Sequence, residues 1–189
     1  MGAINGLWTL LFILFSFAFI VRSDDCVYTA YIRTGSIIKA GTDSSISLTL
    51  YDVNGWGIRI SDIESWGGLM GRTYNYFERG NLDIFSGKGP CLTGPVCSIN
   101  LTSDGSGPNH GWYCNYVEVT STGAHVDCAQ KLFTVEQWLA TDAPPYVLTA
   151  VRDSCGSDGA DQSHRIRVVD SRGGDLVSVI RPSHTTLSV

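Results

Sequence analysis

The sequence is poor in positive charge. Lys and Arg total 13 against 18 Asp and Glu, so the formal net charge is −5 at pH 7. Nucleic-acid-binding proteins need a basic surface that neutralises phosphates, and anionic lipids attract basic segments. The composition therefore predicts no nucleic-acid partner. Any contact with a membrane would have to rest on apolar insertion or on a bridging cation.

Long hydrophobic runs are scarce too, and the one present covers residues 7–21. It is too short to span a bilayer comfortably. Val21 and Ser23 stand at the −3 and −1 positions of a cleavage site before Asp24. We therefore expect residues 1–23 to be a signal peptide and the protein to enter the secretory pathway. Because residues 2–6 carry no Lys or Arg, an uncleaved anchor is the alternative.

The sequence lacks the residue patterns of a catalytic or zinc site. Ser106 is not in a Gly-x-Ser-x-Gly elbow, and no Cys-x-x-Cys pair is present. The histidines are scattered, at His110, His125, His164 and His184. An enzyme needs a nucleophile with a base, a carboxylate pair or a metal site. The sequence predicts no enzyme activity and no cofactor.

Six cysteines follow the hydrophobic run, and an even number in a secretory chain predicts disulfides. Six cysteines allow 15 sets of pairs. Cys91 and Cys97 flank a short Gly-Pro loop, which favours a bridge between them. If the chain turns at Ser121, Cys114 lies opposite Cys128 on the returning strand.

Alternating hydrophobicity predicts β-strands in one domain with a sizeable core. Residues 45–51 place Ile46, Leu48 and Leu50 on one face and polar side chains on the other. Residues 97–102 alternate similarly, and Asn100, in the glycosylation acceptor Asn-Leu-Thr, falls on the outward face. Residues 61–71 form an apolar Gly-rich loop. This loop either packs over the sandwich or offers a surface to lipid or a partner.

Four blocks of sequence, in order over residues 26–139, resemble a PLAT/LH2 domain. The first is Tyr-Thr-Ala-Tyr-Ile-Arg-Thr-Gly, followed by Ala-Gly-Thr-Asp and Ser-Leu-Thr-Leu-Tyr. Residues 76–83 and 111–119 carry the next two blocks, and Trp-Leu at 138–139 closes the match. The signal segment, the cysteines and the lack of a catalytic domain are similar to the single-domain plant stress-type subgroup.

This resemblance implies an all-β fold, an antiparallel β-sandwich of two roughly four-stranded sheets. The domain would span residues 24–155, with residues 156–189 as a loosely ordered extension that contains a possible hairpin. Because the first and last strands of such domains often lie together, it also implies a third disulfide, Cys26–Cys155.

The resemblance further implies a membrane-binding end. In lipoxygenases, apolar residues before Ala-Gly-Thr-Asp and an aromatic residue opening a later strand contact membrane. The matching positions are Ile37, Ile38 and Trp112, with Trp138 further along. Trp suits the lipid interface. The alternative is that both Trp side chains belong to the core.

Calcium-binding relatives hold the ion between neighbouring loops, and the first such loop matches Gly41, Thr42 and Asp43. However, acidic positions of those relatives fall on Lys39, Tyr76 and Gly111. Calcium prefers several oxygen ligands, usually including more than one carboxylate. The sequence therefore argues against a calcium cofactor.

The resemblance implies a non-enzymatic module that binds membrane lipid or a lipid-linked partner. It would act in abiotic or biotic stress tolerance, in the endoplasmic reticulum or outside the cell. The alternative function is a protein-interaction module that binds a secretory-pathway protein without lipid. The oligomeric state is not indicated by the sequence.

Overall fold

A computed structural model describes residues 25–71, 73–124, 126–156, 165–172 and 177–180, and these form a β-sandwich. The predicted all-β class is confirmed. The predicted signal peptide and its cleavage site lie outside the described residues. Within the described part, no helix is long and apolar enough to cross a membrane. The elements are β1 (Asp25–Thr34), β2 (Ile46–Asp52), β3 (Trp56–Ile60), α1 (Ile63–Gly67), β4 (Leu82–Pro90), β5 (Val96–Ser103), β6 (Trp112–Gly123), β7 (Val126–Leu139), β8 (Thr149–Asp153), β9 (Arg165–Asp170) and β10 (Val177–Ile180).

The two sheets differ in size. One has four strands in the order β4-β1-β6-β7, and the other has six in the order β10-β9-β3-β2-β5-β8. The two additional strands come from the C-terminal extension, where β9 and β10 pair as a hairpin. β9 pairs with β3 in parallel, so the larger sheet is mixed. Part of the extension thus continues the sandwich beyond Cys155.

The core lies between the inner faces of the sheets, as the alternating pattern of β2 predicts. Ile46, Leu48 and Leu50 are at most 1% exposed. β1 supplies Ile32 from the opposite sheet, also fully buried. Because successive strand residues point to opposite faces, one apolar residue in two is enough to fill the space between the sheets.

Part of the segment 61–71 packs over the sandwich and part of it is exposed, so each of the two predicted alternatives holds for some of its residues. Asp62 caps α1 by accepting hydrogen bonds from the backbone N–H groups of Glu64 and Ser65. Trp66 packs over Gly87, where a Cβ would lie 2.5 Å from the indole ring. Leu69 and Met70 instead remain 59% and 41% exposed. The loop therefore both covers the sandwich and leaves an apolar surface.

The predicted disulfide pairing is wrong. The bridges are Cys26–Cys91 and Cys97–Cys155, rather than Cys91–Cys97 and Cys26–Cys155. β1 pairs with β4, with Cys26 opposite Gly89, and this register brings Cys91 to Cys26. β5 pairs with β8, with Ser98 opposite Asp153, which brings Cys97 to Cys155. Pairing between strands distant in sequence decided the connectivity.

The predicted Cys114–Cys128 bridge is also wrong, and both thiols are free. β6 continues to Gly123 before the chain returns, so the hairpin turns later than Ser121. Cys114 consequently lies opposite Gln137. Cys114 is buried, and burial raises the pKa of its thiol. Cys128 is exposed near the other end of the hairpin.

Arg152 on β8 joins the two sheets along one side. Its Nε donates to the Thr134 carbonyl at 3.0 Å, and its guanidinium also donates to the Val135 carbonyl. Both acceptors lie on β7, the edge strand of the smaller sheet. The side chain therefore supplies donors to edge carbonyls that no further strand would reach.

Candidate functional site

Ile37 and Ile38 form an apolar tip at one end of the sandwich. The backbone N–H of Ala40 donates to the Ile37 carbonyl at 3.2 Å and closes a tight turn with Ile38 and Lys39 at its centre. Lys39 has a φ of 65°, in the left-handed region. Ile37 is 46% exposed and Ile38 is 79% exposed. The turn thus presents two branched apolar side chains to solvent, as predicted for a membrane-contacting loop.

Backbone hydrogen bonds hold the loop behind the tip in place. The N–H of Gly35 donates to the Tyr113 carbonyl at 2.8 Å, and the N–H of Tyr113 donates to the Ala40 carbonyl at 3.0 Å. Thr42 donates its N–H to the Phe77 carbonyl and its hydroxyl to the Asn109 carbonyl. Three loops, at residues 35–45, 73–81 and 104–111, are therefore fastened together at this end.

Trp112 does not belong to the exposed surface, so its predicted membrane contact is wrong. It is 0% exposed, and its Nε1 donates to the Thr34 hydroxyl at 3.0 Å. Its ring meets Phe77 edge-on, with centroids 5.2 Å apart. Trp112 is the first residue of β6 and faces inward. For this residue the alternative interpretation, that the Trp belongs to the core, is correct.

Trp138 lies beside the tip, in the wall of an open basin of about 580 Å³. Ile38 borders the same basin. Trp138 is half-buried and packs edge-on against Tyr113, with ring centroids 5.4 Å apart. The structure thus brings Ile37, Ile38 and Trp138 to one end of the molecule.

The basin contains charges of both signs. Its cations are Lys39 and Arg79, which have no hydrogen bond or ion pair of their side chains within the described part of the chain. Its carboxylates are Asp43, Glu78 and Asp142. The Oδ1 of Asp142 lies 3.7 Å from the Nε2 of His110. This mixture suits a ligand carrying both charges better than a simple anion.

Gly41, Thr42 and Asp43, the residues matched to the first calcium-binding loop, line this basin. Asp43 is exposed and accepts a hydrogen bond from the Asn109 side-chain amide at 2.9 Å. Across the described ranges, no three or more His, Cys, Asp or Glu side chains are grouped so that they could hold a metal ion. Calcium needs several converging oxygen ligands.

Asp83, a buried carboxylate, supports the wall of the basin. It is 0% exposed and accepts a hydrogen bond from the backbone N–H of Phe77 at 2.8 Å. Burial raises the pKa of Asp83, and the hydrogen bond from Phe77 opposes that shift in part. The carboxylate thereby orients the turn that carries Glu78 and Arg79.

Asn100 lies away from this end, on the outer face of the larger sheet. It pairs with Thr49 of β2 and Val151 of β8 and is half-buried. The Thr102 hydroxyl donates to its Oδ1 at 3.1 Å. The side chain faces outward, as the glycosylation prediction requires.

No sequence pattern indicated Arg79, Glu78 or Asp142 as site residues. Arg79 and Glu78 fall in a block that indicated fold, and Asp142 follows the last block. The charged Glu-Arg-Gly turn was the available signal for these residues. It did not indicate a site, because a charged turn and an apolar loop form one only when folding brings the two loops together.

Comparison with known proteins supports the same architecture. The sequence profile of the PLAT/LH2 domain matches residues 28–151. PLAT domain-containing protein 1 of Arabidopsis thaliana is 59% identical over 149 residues, which cover 79% of this chain and 82% of that protein. PLAT domain-containing protein 2 of the same plant is 66% identical over 131 residues, or 69% of this chain and 72% of that protein. A lipoxygenase crystal structure, 22% identical, superposes on 69% of this chain and 16% of its own with a TM-score of 0.50.

Proposed function

This chain belongs to the PLAT/LH2 domain family, and we propose that it is a non-catalytic module that associates with membrane lipid. The observation that carries the proposal is the exposed tip, where Ile37 and Ile38 are 46% and 79% exposed on a turn fastened to the sandwich. Transfer of solvent-exposed apolar side chains from water into an apolar phase is favourable in free energy.

The tip provides a useful but limited binding energy. Fully burying an Ile side chain contributes about 1.5–3 kcal/mol, so two partly exposed ones contribute about 2–4 kcal/mol before ordering costs. Trp138 beside the basin adds an aromatic ring suited to the interface. Such binding would be weak and reversible. A second contact with the membrane or a high lipid concentration would be needed to strengthen it.

Charge plays a small part in this proposal. The net charge of −5 opposes anionic surfaces, while Lys39 and Arg79 are free to contact lipid phosphates locally. We therefore expect binding to neutral phosphatidylcholine vesicles with little dependence on salt, since screening weakens attraction only between separated charges. Because the basin lacks a converging set of carboxylates, calcium is expected to change binding little.

Vesicle co-sedimentation tests the proposal. The wild-type protein should sediment with phosphatidylcholine vesicles in calcium and in chelator, and the double variant Ile37→Ser, Ile38→Ser should stay largely in the supernatant. Leu132→Ser with Val151→Ser is the matched control, because those side chains are 55% and 50% exposed on β7 and β8, outside the loops that carry the tip. Wild-type protein remaining in the supernatant in both conditions would end the lipid proposal.

A second function, protein interaction, is favoured by a separate apolar surface. Leu69, Met70 and Leu82 are 59%, 41% and 37% exposed. The N–H of Leu69 donates to the Ile84 carbonyl, which places these residues along the β4 edge. The partner proposed for this surface is a secretory-pathway protein. Leu69→Ser with Met70→Ser should abolish its capture from a secretory fraction while leaving vesicle binding intact.

We place this function in the secretory pathway, in the endoplasmic reticulum or outside the cell, with a role in plant stress tolerance. Two disulfides are consistent with an oxidising compartment. The outward Asn100 acceptor offers a direct check, since glycosidase treatment of protein from plant membranes should increase its gel mobility. Asn100→Gln should remove that shift.

A further inference from the structure

A second cavity opens at the opposite end of the sandwich from the tip. It has a volume of about 320 Å³ and lies between the sheets where β5 begins and β6 ends. Its walls are mainly apolar, with Val96 and Val119 from facing sheets and Ala129 from β7. The Cys97–Cys155 disulfide forms part of the lining and fixes the adjoining chain segments. We call this cavity the cleft.

Lys131 is the unusual residue of the cleft. It pairs with Val119 across the hairpin and lies on the same side of β7 as Phe133 and Val135, both buried in the core. Its side chain is half-buried, and its ammonium group makes no hydrogen bond or ion pair with any described residue. A half-buried lysine with no partner among the described residues leaves its ammonium available to an anionic ligand, and a hydrogen bond between two charged groups is among the stronger ones.

The described lining of the cleft carries a positive charge, although the protein as a whole is acidic. Among the residues that the structure describes, Lys131 is the single charged residue of the lining, and the polar remainder consists of neutral groups such as Ser121, Gln130 and Ser154. None of the described lining residues is a carboxylate that would repel an anion. An apolar cavity with one cation at its rim is complementary to a molecule with an apolar tail and one negative charge.

We propose that the cleft binds a small amphipathic carboxylate, with its tail against Val96, Val119 and Ala129 and its carboxylate on the Lys131 ammonium. A volume of about 320 Å³ holds about ten liquid waters at ~30 Å³ each, which suits a ligand of about ten heavy atoms. Octanoate has this size. The proposal is independent of lipid binding at the tip.

Titration calorimetry with octanoate tests the proposal. Wild-type protein should bind octanoate, and it should bind octylammonium and acetate at least ten-fold more weakly, because one carries the wrong charge and the other lacks the tail. Lys131→Gln should weaken octanoate binding about ten-fold. Lys88→Gln is the matched control, because Lys88 is an exposed lysine on β4 that does not line the cleft.

A filling variant separates the cleft from any other anion site. Ala129→Leu should abolish octanoate binding with Lys131 still present, and thermal melting should show that both variants are folded. Ile37→Ser with Ile38→Ser should leave the affinity unchanged, so a failure at the tip is distinguishable from a failure here. No octanoate binding by the wild type, equal binding of octylammonium, or wild-type affinity in folded Ala129→Leu would overturn the proposal.

Discussion

Trp112 shows how a residue matched to a membrane contact can belong to the core. Its ring is fully buried and its Nε1 has a buried partner in Thr34. We expect Trp112→Ala to lower the free energy of unfolding by about 3–5 kcal/mol, as for other buried aromatic residues. Trp138→Ala, at a half-buried position, should cost less. Urea unfolding of both variants checks this, and an unchanged midpoint for Trp112→Ala would contradict the buried assignment.

Asp83 should make stability depend on pH. Its raised pKa means that the folded state holds the proton more tightly than the unfolded state does. Its contribution to stability is therefore complete below the ordinary aspartate pKa and is lost as pH rises through the folded pKa. The wild type should accordingly lose stability between acid and neutral pH, whereas Asp83→Asn should not show this loss. The unfolding free energy of Asp83→Asn relative to that of the wild type should therefore be higher at neutral pH than in acid. A difference that moved in the opposite direction would refute this.

The strands themselves were accessible from sequence, and the bridges between them were not. Alternation identified β2 and the inward set Ile46, Leu48 and Leu50 because the strand period is a local property. Disulfide pairing depends on which strands become neighbours. Cys26 meets Cys91, 65 residues away in sequence, only because β1 pairs with β4.

The free thiols give a direct check of this connectivity. Under native, non-reducing conditions iodoacetamide should modify Cys128 and leave Cys114 unmodified, because Cys114 is buried and its raised pKa suppresses the thiolate. After unfolding without reductant, both should react. Peptide mapping should then find Cys26 joined to Cys91 and Cys97 joined to Cys155. A Cys114–Cys128 peptide would show that the pairing is different.

At the scale of the whole molecule, the family pattern predicted the sandwich and one functional end. It did not predict that residues 165–170 would extend the larger sheet in parallel with β3, since a short alternating segment does not indicate its partner strand. Nor did it predict the basin charges. Lys39, Arg79 and Asp142 come from three separate segments and become neighbours only after folding.

We expect this molecule to contact membranes with a single end, the one that carries Ile37 and Ile38. A polarity-sensitive fluorophore attached at Ile38→Cys measures this most directly, in a Cys128→Ser background that removes the exposed native thiol. On addition of phosphatidylcholine vesicles, emission from position 38 should shift to the blue and gain intensity. A label at Val151→Cys, an exposed site on the outer sheet face, should not change. An unchanged spectrum at position 38, or an equal shift at position 151, would contradict insertion of the tip.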